Sequence, residues 1–154
     1  MLRERIKTET IAAMKGGDKA RTAALRLISA KIKDRDIELR PQIASGAKPV
    51  EDEALVIDVL QKMAKQRRES IEMYLAGGRQ ELADQERSEL GVIEEFLPQQ
   101  MSEADTRMTI EAIKAELGAQ GPKDMGRVMA ELKARHGTVI DMSKASGLVK
   151  AALA

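Results

Sequence analysis

Apolar residues return at steps of three, four, seven or eight along most of this chain. Leu25, Ile28, Ile32 and Leu39 form one such series. Ile57, Leu60, Ala64, Ile71 and Tyr74 form a second, and Leu82, Leu90, Ile93 and Leu97 a third. On a helix that turns about 100° per residue these steps keep a side chain on one face, whereas a half-buried strand would need strict alternation. The spacing therefore predicts helices that each bury one stripe.

The interruptions divide the pattern. Leu2, Ile6, Ala13 and Met14 predict a short first helix ending at Gly16-Gly17, and Asp18 is placed to cap the second. Arg40–Pro49, with its Pro, Gly and Ser residues, reads as a loop. A third helix is expected from about Val50 to Leu75, a turn at Gly77-Gly78, and a fourth helix from about Arg79 to Leu97. After Pro98, Ser102 and Asp105 resemble a capping pair that opens a fifth helix with Ile110, Ile113 and Leu117. "GPKDMGRVM" starts a sixth, which ends at Gly137, and Ser143 starts a last one with Leu148, Val149 and Leu153. The expected architecture is all-α, with a four-helix N-terminal part over 1–98 and a smaller three-helix bundle over 99–154.

Composition narrows the chemistry. Tyr74 and Phe96 are the only aromatic residues, so Leu, Ile, Val, Ala and nine Met must fill the core. Cysteine is absent, which removes disulfides, thiol catalysis and thiolate metal sites. The single histidine, His136, sits in "ARHGT" at a helix C-terminus, where it reads as a favourable terminal charge rather than a catalytic base. Glu94 and Glu95 are adjacent and diverge on a helix, and the Gly-Gly pairs lack a phosphate-loop pattern. No catalytic, cofactor or metal site is expected. Nor does any apolar run span a membrane, and "MLRERIKTET" lacks the apolar centre of a signal peptide, so the expected location is the cytoplasm.

Two charged features remain. Arg67 falls on the apolar face of the third helix, and Glu86 with Arg79 on that of the fourth, with Ser70 near the edge. A hairpin at Gly77-Gly78 would face them together. Stranding a charge there costs several kcal/mol, roughly 3–5, so the four are expected to form a paired, structural polar cluster. The second feature is Lys19, Arg26, Lys33 and Arg40, at strict seven-residue spacing on the second helix, a row of about 32 Å at 1.5 Å per residue. Net charge is only +1, but residues 1–40 hold eleven bases and six acids, while residues 80–100 hold one base and six acids. The row reads either as a track for a phosphate backbone or as a solvated face. No aromatic residue interleaves it, which argues against single-strand stacking.

"RRESIEMYLAGGRQELADQERSELGVIEEFLP" resembles the signature of the GatB/YqeY family, and in particular its small stand-alone YqeY-like members. The matching residues are Arg67, Ser70, Ile71, Gly78-Arg79, Leu82-Ala83, Glu86, Glu89-Leu90 and Leu97-Pro98. "DMGRVMAELK" and the terminal "VKAAL" extend the resemblance over almost the whole chain. Phe96 stands where Tyr is usual, and "HGTVIDMSKAS" replaces the commoner Gly-x-Ala-Asp-Gly connection. The family is similar to the helical tail of the B subunit of the aminoacyl-tRNA amidotransferase, which helps recognise tRNA. The resemblance implies tRNA as a partner, and amidotransferase or synthetase components as protein partners. It also implies that a label of carbon–nitrogen ligase with glutamine as amido-N-donor is inherited from the full enzyme. Lys123 and Arg127, beside the Asp-Met-Gly motif, become further RNA-contact candidates through this resemblance. An RNA-binding accessory, a protein–protein adaptor with no RNA or enzymatic role, and an accessory subunit of amide transfer all stay open.

Overall fold

The computed structural model describes residues 1–154 as an all-α protein with seven α-helices and no strand. They are α1 (Leu2–Lys15), α2 (Lys19–Ala44), α3 (Asp52–Ala76), α4 (Gln80–Glu94), α5 (Glu103–Leu117), α6 (Met125–His136) and α7 (Met142–Ala152). A 3₁₀ turn, Pro122–Asp124, precedes α6. The chain divides into two compact units, Met1–Leu97 and Pro98–Ala154.

In the first unit α1 and α2 form a hairpin. Gly17 takes φ +70°, and the Asp18 side chain accepts the Arg21 backbone N–H, satisfying one of the donors that a helix start leaves over. The α3–α4 hairpin turns at Gly78 with φ +71°, while Arg79 N–H donates to the Tyr74 carbonyl. Leu25, Ile28, Leu60 and Ala64 are fully buried where the helices meet, with Ile6, Ile93 and Phe96 beside them. Each large aliphatic side chain so buried contributes roughly 1.5–3 kcal/mol. The buried face of α3 is wider than its periodicity suggests. Leu55, Val56, Val59 and Met63 are buried as well, because α3 packs on α1, α2 and α4 together.

The second unit closes α5, α6 and α7 around Ile110, Ile113, Val128, Leu132, Ala145 and Val149. Ser102 accepts the Asp105 N–H as the cap of α5, and Gly118 ends that helix at φ +64°.

One expected loop is half helix. Arg40–Ala44 belongs to α2, which runs through Pro41. Proline removes one ladder bond, but Pro41 lies on the exposed side of the helix, and Leu39 anchors that last turn in the core. The stop comes at Gly46, with φ +96°, where Ser45 and Ala47 N–H groups close on the Pro41 and Gln42 carbonyls. At other ends the shifts are small. Glu51 caps α3, and α7 starts one residue before Ser143 because Asp141 caps it through the Ser143 and Lys144 N–H groups.

Candidate nucleic-acid interface

The two charged features of the first unit separate cleanly by environment. Arg67, on the buried side of α3, has its Nε 3.3 Å from Glu86 Oε2 and 2.9 Å from Glu89 Oε2. The Arg67 and Glu86 side chains are 17% and 19% exposed, so the contact is largely removed from water. Neither Arg67 Nε nor Glu86 Oε2 makes an angularly good hydrogen bond; charge proximity holds the group.

Membership of this cluster differs from expectation in two places. Arg79 is exposed and stands outside it. Its backbone, at φ −99° and ψ 69°, is the non-helical cap of α4, so a 100° rotation per residue does not reach back to it. Ser70 is half-buried and contributes no hydrogen bond to the pair. Glu89 takes the place of both. The signal for it was present: Glu89 follows Leu82 by seven residues and Glu86 by three, on the same face.

Other bases of this unit are also committed to the fold. Arg3 bridges Asp36 of α2 and Asp52 of α3, at 2.9 and 2.7 Å. Hydrogen bonds that it donates to Asp52 first, then to Asp36, hold its guanidinium above its ordinary pKa. Arg21 joins Glu95 at 2.7 Å and Glu9 at 3.1 Å, and those carboxylates raise it likewise. The Arg5 guanidinium lies 4.8 Å from the Phe96 ring centroid, a cation–π contact.

Lys19, Arg26, Lys33 and Arg40 contrast with all of these. The extension of α2 to Ala44 puts the four on one continuous helix. All four are exposed and none has a carboxylate partner; Arg26 touches only Met14 Sδ, at 3.4 Å. Four residues after each base stands an exposed small or aliphatic residue: Ala23, Ala30, Ile37 and Ala44. No acid lies within these two rows. Of the flanking acids, Asp36 and Glu38 pair with Arg3 and Arg35, while Asp34 is exposed one turn from Ala30. At the start of the row Met14, Gly17, Asp18, Lys19, Thr22, Ala23 and Arg26 line an open depression of about 350 Å³, so one acid, the cap of α2, borders it.

In the second unit the two candidates part. Arg127 donates to the Leu117 carbonyl at 2.8 Å, satisfying the end of α5, and lies 3.5 Å from Asp124. The Gln120 N–H, and after it the charges of Arg127 and Lys123, hold the Asp124 carboxyl below the usual carboxylate range. Arg127 is thus spent on local structure, and only Lys123 projects without a partner. His136, half-buried, is the last residue of α6. No group of three or more His, Cys, Asp or Glu residues is placed to hold a metal ion, and no helix is long and apolar enough to cross a membrane.

The fold and this face define an all-helical protein carrying a row of exposed bases that no carboxylate pairs. Residues 3–153 match the Yqey-like protein family, and the chain belongs to that family. No curated protein matches it.

Proposed function

We propose that this chain is an accessory tRNA-binding protein of glutamine-dependent aminoacyl-tRNA amidation, and that it engages tRNA through the exposed face of α2. One observation carries the reading. Four bases stand on one helix with no acidic partner, in a unit where Arg3, Arg21 and Arg67 are all held by carboxylates. Phosphates are the partners such a row lacks, and contacts to them position a nucleic acid without reading its sequence. Family membership supports the link to amidation, since the family resembles the tRNA-recognising tail of the amidotransferase B subunit. The role is accessory. The carbon–nitrogen ligase label is read as inherited from the full amidotransferase, to which this chain would be an accessory. Amidotransferase or synthetase components are the protein partners this role calls for, and the cytoplasm is its place.

The adaptor reading keeps one observation in its favour. Ala23, Ala30, Ile37 and Ala44 repeat every seven residues, the spacing on which a second helix can pack. Titration with total tRNA at two salt concentrations decides between them. The tRNA reading expects binding that weakens steeply with salt. Absence of binding at low salt, with amidotransferase subunits captured in a pulldown, would favour the adaptor.

A further inference from the structure

We infer that the α2 face takes a double-helical segment of RNA by its phosphate backbones, and that Lys7 of α1 is part of the surface. This rests on the tRNA reading above and narrows it.

Two contacts fix how α1 lies along α2. Arg3 reaches Asp36 at 2.9 Å, and Met14 meets Arg26 at 3.4 Å, so the helices run antiparallel with these residues on one shared edge. On α1 the positions 3, 7, 10 and 14 follow one another at helical steps along that edge. Lys7, between Arg3 and Met14 on that edge, therefore lies alongside the stretch of α2 between Arg26 and Asp36. It is exposed and has no carboxylate partner. The row of four bases thus becomes a surface two helices wide.

The absence of aromatic side chains from this surface selects the ligand. Grips on single strands draw much of their affinity from bases stacked on aromatic rings. Here Phe96 is buried beneath Arg5, and Tyr74 belongs to α3. A single strand would lose its freedom along α2 and gain no stacking in return. A duplex keeps its bases stacked internally and presents rigid rows of phosphate. The bases on α2 repeat at about 10.5 Å on a rigid rod of 26 residues, so the protein side is preorganised too. Ala23 and Ala30 on the exposed crest leave room for the backbone to approach closely.

Fluorescence anisotropy on the full chain tests this, with two RNA hairpins of unrelated sequence, each on the order of ten base pairs to match the 32 Å row, and a uridine oligomer of equal phosphate number, at about 50 mM salt. Both hairpins should bind alike, within about twofold, and about tenfold or more tighter than the single strand. Lys7→Gln should weaken hairpin binding by the same factor as Lys33→Gln. A single strand that binds as tightly as the hairpins overturns the inference, as does a silent Lys7→Gln beside an effective Lys33→Gln. Total tRNA that binds while hairpins do not sinks only this inference. Failure of both hairpins and tRNA sinks the tRNA reading itself.

Discussion

Arg67 on α3 and the bases of α2 are similar groups put to opposite use. Arg67 is largely withdrawn from water and sits against two carboxylates of α4. Lys19, Arg26, Lys33 and Arg40 are exposed and none is ion-paired with a carboxylate. A half-buried cation must be compensated within the chain, because leaving it alone costs several kcal/mol. An exposed one is compensated by water at almost no cost, so nothing in folding requires four of them in a row. That asymmetry separates architecture from binding surface: the first cluster is explained by stability, and the second is not.

The largest expected effect falls on the architectural side. Arg67→Met leaves Glu86 and Glu89 facing each other without their cation and should destabilise by about 3 kcal/mol in urea melts. A loss under about 1 kcal/mol would mean that the cluster is effectively solvated, and the comparison would break. Glu86→Ala should cost less, about 1–2 kcal/mol, because Glu89 still lies 2.9 Å from Arg67. The exposed Glu69, on the same helix as Arg67 but the opposite face, should tolerate Ala within about 0.5 kcal/mol. Equal effects at Glu86 and Glu69 would show that direction on the helix does not matter here.

Smaller effects sharpen the other side. If the last turn of α2 is helix through Arg40, limited proteolysis should begin within the 45–51 connection and spare Arg40–Ala44. First cleavage inside that turn would shorten the row, and first cleavage at Gly77-Gly78 would show the 45–51 connection to be the less accessible of the two. The smallest effect belongs to Lys123. On a separate unit and without the partners of a row, Lys123→Gln should leave tRNA affinity unchanged within about twofold. A large loss there would move the binding face to the second unit.

Much of this was legible in the sequence, and the misses share a cause. Helical period placed Arg67 and Glu86 on facing stripes and found the base row. It failed for Arg79, whose backbone leaves the helix at the cap; the loop reading failed over Arg40–Ala44, where Pro41 signals a break that an exposed final turn does not obey. Glu89 was within reach of the same periodic argument. Arg127 and Lys7 were not. Whether Arg127 meets the Leu117 carbonyl, and whether Lys7 lies beside the row of α2, depends on how one helix packs beside another. Periodicity gives the face of a helix, not its neighbour.

The most direct test replaces Lys19, Arg26, Lys33 and Arg40 together with Gln and measures tRNA affinity across a salt series. Gln is a good helix former, and these side chains lie outside the core, so helicity and stability should hold within about 1 kcal/mol. Each lost phosphate contact lowers the slope of log affinity against log salt by roughly 0.7–0.9, so the folded variant should lose about 3 units of slope and bind many tRNAs equally weakly. A folded quadruple variant with unchanged affinity and slope would contradict the account.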